Sequence, residues 1–224
     1  MAKGTQLLNQ DGSASMATLL MLSHHAFRRD LRSFERALGQ LHERESGRAG
    51  DLRGEWRQFH GALHGHHEME DANIFPGIKQ QNPALGANLD RLSEQHRRID
   101  PLLSRGDSAF DGMTDVGAAR AVVEELSALL DEHLSFEEET IVPALRGVKQ
   151  FPPPPDDAAA ELYAGGFAWS MHGVDDGVIA EVKKLLPESL LSRLPAAIET
   201  FDERCLRVWG SAKTAKSSTS VPAS

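Results

Sequence analysis

Two short segments of the chain carry the same pattern of potential metal ligands. One reads His66-His-Glu-Met-Glu70-Asp-Ala-Asn-Ile74-Phe-Pro76 and the other His133-Leu-Ser-Phe-Glu137-Glu-Glu-Thr-Ile141-Val-Pro143. Each has Glu four residues after His, a second acid at the fifth position, Ile at the eighth and Pro at the tenth. On a helix the four-residue spacing sets His and Glu on one face, a turn apart. Such a pair can reach one metal ion, or two ions close together.

The phase of the pattern strengthens this reading. Phe59, Leu63, His66, Glu70 and Ile74 fall on one helical stripe, as do Leu126, Leu130, His133, Glu137 and Ile141. Each His–Glu pair therefore lies on a core-facing stripe, where a bare carboxylate costs several kcal/mol unless a cation compensates it. Two further histidines sit on apolar stripes. His24 follows Leu20 and precedes Phe27 and Leu31; His96 follows Leu92 and precedes Ile99 and Leu103. Taken singly, a histidine on an apolar face is usually a hydrogen-bonded core residue, and one His-xxx-Glu is common on helix surfaces. Two copies with matching flanks, plus a matching histidine on each remaining helix, point instead to His24, His66, Glu70, His96, His133 and Glu137 as metal ligands. A one-residue error in helix phase would exchange His25 for His24 or His67 for His66, so both stand as alternates.

Imidazoles with carboxylates suit iron, manganese or zinc, and the single cysteine, Cys205, excludes a cysteine-based zinc or iron–sulfur site. If Glu70 and Glu137 bridge two ions, each ion with two histidines and a solvent-derived oxo or hydroxo bridge, a position stays open on either ion for a small molecule.

Stepping outward, the periodicity predicts four helices that position these groups. The first begins near Ser13 and ends before a loop at Glu45-Ser-Gly-Arg-Ala-Gly50. The second runs from Asp51 to about Pro76-Gly77. The third starts at Asn82-Pro83, with Pro101 expected to kink or end it, and Gly106 to Gly117 is a connector. The fourth carries Val122 to Leu145. Short connections favour an all-α, up-down-up-down four-helix bundle over residues 13–149. Residues 1–12 read as flexible. Phe151-Pro-Pro-Pro-Pro-Asp156 is a stiff break, and residues 150–210 form a helical extension with helices at Ala158 to Trp169, Val174 to Leu186 and Leu190 to Trp209. Gly165-Gly166, Pro187 and Pro195 are expected to interrupt them. The Ser/Thr/Lys/Ala tail, 211–224, reads as disordered.

The formal charge of −9 argues against a nucleic-acid partner. No run of 18 or more apolar residues and no secretory leader is seen, so neither a membrane nor export is expected. One cysteine suits a cytoplasmic location. Cys205 reads as a buried thiol, Tyr163 as a packing residue, and His42 as a helix-end residue. His60 and His64 read as groups that orient ligands or as surface residues. His172 is given no role.

The ordered series His24, His66-xxx-Glu70, His96, His133-xxx-Glu137 resembles the hemerythrin-like family. His24-His-Ala-Phe-Arg-Arg-Asp-Leu31 and the endings Ile74-Phe-Pro76 and Ile141-Val-Pro143 resemble it too, and the likeness covers about Ala17 to Gly147. It implies a four-helix bundle holding two iron ions joined by an oxo or hydroxo bridge. It also implies O2 binding, sensing of O2, NO, iron or redox state, or peroxide decomposition. Oxygen-carrying members use five histidines and two carboxylates. Their third-helix His-xxx-His is absent here, because Asp100 follows His96 by four residues; Asp100 stands as an extra ligand or a surface acid. The expected function is reaction with a small oxidant, peroxide decomposition or O2 chemistry. The symmetric ligand set favours peroxide. A non-enzymatic sensor or binder of O2, NO or iron is the alternative, and a metal-free scaffold ranks last. The expected partners are a small diatomic ligand or peroxide.

Overall fold

A computed structural model describes residues 7–41, 46–111, 113 and 115–210. They form helices α1 (Met16–Gln40), α2 (Ser46–Met69), a π-helical turn (Glu70–Ile74), α3 (Phe75–Gln81), a 3-10 turn (Pro83–Leu85), α4 (Gly86–Phe110) and α5 (Val116–Leu145). The extension adds α6 (Asp157–Met171), α7 (Asp176–Lys183), α8 (Glu188–Leu191) and α9 (Leu194–Trp209). No strand occurs among the described residues. Helix α1 packs on α2 and α5, and α4 packs on α2 and α5, which closes the expected four-helix bundle.

Apolar residues gather in two clusters inside this bundle. Phe27, Leu63, Ile99 and Leu130 belong to one; Leu20, Leu92 and Ile141 belong to the other. Helices α1, α4 and α5, and the continuous segment from α2 through the π-helical turn into α3, each pass from one cluster to the other. The histidines and glutamates fall at that crossing, so they form a polar layer with an apolar cap on either side.

The extension lies against α1 and α2. Trp169 packs on Phe27 with ring centroids 4.9 Å apart, and its indole N–H donates to Asp30 Oδ2 at 2.6 Å. Arg29 donates to the carbonyls of Trp169 and His172. Trp209 packs on Phe34, and Arg204 pairs with Glu55 at 3.3 Å. Cys205 is buried, as expected, and burial pushes its thiol up to about 11.

Several expected boundaries move. Helix α2 starts at Ser46, so Gly47 and Gly50 are helical rather than a loop. Glycine costs a helix about 1 kcal/mol, and the fully buried Leu52 and Trp56 that follow hold the helix in place. Pro76 does not end the second helical segment, which continues to Gln81. Here the backbone widens first: Phe75 N–H bonds Glu70 O, a five-residue step. Pro76 then sits in the first turn of α3, where a missing N–H costs least. Pro101 does not end α4 either, and the connector expected from Gly106 shrinks because α4 continues to Phe110.

The reason lies in aromatic packing. Trp56 stacks on Phe110 at 4.7 Å, and Gly106 leaves room for the Trp56 ring. A Cβ at Gly106 would lie 1.9 Å from Trp56 Cζ2. Gly106→Ala is therefore expected to destabilise the fold by about 3 kcal/mol, measured as a lowered urea midpoint with an unchanged slope.

In the extension α6 runs unbroken through Gly165-Gly166, held by its buried Ala164, Phe167 and Ala168. Pro195 opens α9 rather than breaking it. Residues 7–12, expected to be loose, are tied down. Asn9 Nδ2 donates to Arg146 O, and Thr18 Oγ1 donates to Leu7 O. His42 and the 211–224 tail lie outside the described residues. No described helix is long and apolar enough to cross a membrane.

Candidate metal centre

The structure brings His24, His66, Glu70, His96, His133 and Glu137 together in the polar layer, and adds His67. Two overlapping groups result, each with its ligand atoms within 4.8 Å of one another. His67, Glu70, His96 and His133 form one; His24, His66, Glu70 and Glu137 form the other. Glu70 belongs to both. Its Oε1 lies 3.0 Å from His66 Nε2 and its Oε2 lies 3.5 Å from His96 Nε2. Glu137 also spans the groups, with Oε2 at 3.4 Å from His24 Nε2 and 3.5 Å from His133 Nε2. Two carboxylates thus lie where each can touch both halves.

The choice between His66 and His67 does not arise, because both face the cluster. Glu70 is four residues after His66 and three after His67, so all three share one broad helix face. The His67 ring stacks on His96 at 4.0 Å and meets His133 edge-on at 5.3 Å. At the matching place in the second repeat stands Leu134, also buried. The two repeats therefore offer the cluster different donors at this place, and the histidines divide three to two.

His24 is fully buried while its neighbour His25 is half-buried and outside both groups, so α1 presents His24. Asp100 is 52% exposed and 4.0 Å from His64, away from the cluster. His60 pairs with Asp107 and His64 with Glu68, both at the surface; neither orients a ligand. His25→Asn and Asp100→Ala are accordingly expected to leave the metal content of the purified protein unchanged, as read by mass spectrometry of the metals.

The groups that orient the ligands come from the acids at the fifth position of each repeat. Glu138 accepts from His24 Nδ1 at 3.0 Å and is itself held by Arg28 at 2.6 Å. Asp71 accepts from His96 Nδ1 at 2.9 Å and from Ser93 Oγ at 2.5 Å. Gln95 Oε1 lies 3.1 Å from His133 Nδ1. Each of these contacts occupies Nδ1 and leaves Nε2 bare, the arrangement that prepares an imidazole for a metal. The repeat showed the acids, but not that each crosses to a neighbouring helix.

Next come the unpaired atoms. His24, His66, His96 and His133 Nε2, both ring nitrogens of His67, and both oxygens of Glu70 and of Glu137 are buried without a hydrogen-bond partner. Each such atom costs about 1–3 kcal/mol, and buried polar groups are otherwise nearly always satisfied. A donor set of imidazole nitrogens and carboxylate oxygens, all bare and convergent, fits metal cations.

A family model described as the hemerythrin HHE cation-binding domain matches residues 15–145. The chain belongs to this family. Comparison with curated proteins and with solved structures gives no match.

Protonation in this HHE domain follows from its dryness. Burial, then the charge on His24, pushes His66 down to about 3, and burial lowers His133 to about 4. Burial and the neighbouring His96 lower His67 as well. These imidazoles are neutral at physiological pH, the form that binds metal. Burial would lower His24 too, but the carboxylates of Glu137 and Glu138 outweigh it and raise its pKa. Burial and the Glu137 charge raise Glu70 well above the usual carboxylate range. Glu137 would rise with burial, yet the charge on His24 holds it below that range. Of the pair, Glu70 is thus the carboxyl that holds its proton to the higher pH.

Proposed function

We propose that the polar layer of this HHE domain holds two iron ions and that the protein binds a small oxygen-derived molecule there, O2 in the first place. The observation that carries this reading is the three-to-two division of five histidines, four buried and His66 partly buried, around two shared carboxylates. Five histidines with two carboxylates is the donor count of the oxygen-carrying members that the sequence resembles. Here the fifth histidine comes from α2 as His67, not from a His-xxx-His on the third bundle helix. Peroxide disproportionation drew support from two equivalent halves, and His67 against Leu134 removes that equivalence.

Bound iron supplies the redox change that O2 binding or peroxide decomposition requires. The chain's own residues prepare the place. Glu138 and Asp71 hold the Nδ1 protons of His24 and His96, which aims each Nε2 into the layer. Glu70 and Glu137, both ionised, would offset part of the positive charge of two cations in this interior. The apolar clusters on either side exclude bulk water. With iron bound, the half with His24 and His66 would have one imidazole fewer than the other and would be the side to take a small molecule.

Anaerobic reconstitution with ferrous iron tests this. Two iron ions per chain, and an absorption band that forms with O2 and fades on deoxygenation, are expected. Steady O2 release from added peroxide, with no reversible band, would assign peroxide decomposition instead. His67→Leu, which copies the residue at position 134, is expected to fold normally. It should weaken iron binding by about tenfold, or 1.4 kcal/mol, and abolish the reversible band. An unchanged band in that variant would remove His67 from the site.

A further inference from the structure

Helix α2 carries three histidines on a single stripe, His60, His64 and His67, and only the last belongs to the buried layer. The antiparallel helix α4 faces them with Asp107, Asp100 and His96. The two stripes meet in three rungs. His60 Nδ1–H donates to Asp107 Oδ1 at 2.9 Å. His64 Nδ1 lies 4.0 Å from Asp100 Oδ1. The His67 ring stacks on His96 at 4.0 Å. The side chains change from half exposed at His64 to buried at His67, so the ladder leads from the surface to the metal layer.

The outer rung repeats the orienting device of the centre. Asp107 Oδ1 accepts the Trp56 indole N–H at 2.9 Å, and Trp56 is fully buried, so the carboxylate is held in place. It occupies His60 Nδ1, so Nε2 is the nitrogen turned to a ligand, as with Glu138 on His24 and Asp71 on His96. His64, with its ring centroid 6.3 Å from that of His60, sits one turn along and is 3.3 Å from Glu68. His60, His64 and Asp107 line one surface groove. Two arginines at its far end, Arg53 and Arg57, face Asp111 at 3.6 and 3.8 Å.

We infer that His60 and His64, with Asp107 and Asp100, dock a divalent transition-metal cation at the surface and pass it along the ladder to the buried centre. Imidazole and carboxylate donors suit ferrous iron, cobalt(II) and zinc alike. The role as an inlet rests on the proposed metal centre, whereas the docking site rests on these surface groups alone. Asp107, Glu68 and Asp100 stand beside the two imidazoles and raise the local cation concentration there, and a gain of about tenfold in capture rate is the modest end of such effects.

The test is the double variant His60→Gln/His64→Gln, whose altered side chains are surface groups; an unchanged melting temperature confirms the fold. Loading of the metal-free protein with limiting ferrous iron is expected to slow about tenfold while the final iron content stays the same. Cobalt(II) titration, done on the protein both metal-free and iron-loaded, is expected to show one outer cation in the parent chain that the double variant lacks. Equal loading rates, or equal cobalt uptake, would overturn the inference. If neither protein takes up iron, the proposed centre fails and the cobalt titration alone decides the docking site.

Discussion

Stripping the cations from the purified protein with a chelator is expected to lower its melting temperature by about 10 °C. A ligand at 1,000 times its dissociation constant stabilises a fold by about 4 kcal/mol, and each kcal/mol moves a chain of this size by about 2–4 °C. The physical cause is the set of bare atoms in the polar layer. With no cation, the Nε2 atoms of four histidines, both nitrogens of His67 and four carboxylate oxygens stay buried and unpaired. The apolar clusters above and below admit no easy repacking, because each helix would have to shift both at once. Differential scanning calorimetry before and after chelation, and again after adding ferrous iron, measures the effect. An identical melting curve in all three states would sink the metal centre, leaving a helical scaffold with an unsatisfied core.

Glu70→Gln is expected to reverse sign between the two states. In the loaded protein it removes a carboxylate shared by both ligand groups, so the loss of affinity should exceed the roughly 10–100-fold typical of outer-shell partners. Metal analysis should then find both ions gone. In the metal-free protein the same change is expected to stabilise, by about 1 kcal/mol or more. Glu70 has a raised pKa because it is buried beside Glu137. A carboxyl with a raised folded pKa binds its proton more tightly when folded. It therefore loses stability as pH rises above the ordinary value of 4.5. Glutamine has no such charge to bury, and its amide can donate towards His66 or His96, which lie 3.0 and 3.5 Å from the present oxygens. The metal-free parent chain should thus lose stability above pH 4.5 more steeply than the metal-free variant. Parallel urea midpoints from pH 4.5 to 8 would contradict this.

How much of the centre was legible in one dimension follows from how helices encode direction. A 3.6-residue period assigns faces, so His24, His66, Glu70, His96, His133 and Glu137 could be placed on core stripes from their apolar neighbours alone. All six are gathered in the layer. Neighbouring residues on a helix point about 100° apart, so a stripe does not tell how wide the buried face is. That is why His66 and His67 read as rivals, although the α2 face is broad enough for both. On α1 the same ambiguity resolved to one residue, since His25 turns away from the layer.

The sequence by itself determined the helical class, the approximate bundle, the paired His–Glu repeats and their phase, because each depends on spacing within a single helix. Only the tertiary structure decided which side chains from different helices meet. Asp71 and Glu138 were visible as acids, but their grip on His96 and His24 needs α2 to lie beside α4 and α5 beside α1. Gly106 read as a loop signal until the Trp56 ring, from another helix, filled its place. The three-to-two division of the histidines belongs to this second kind. It arises between helices, where distance in space has no counterpart in distance along the chain.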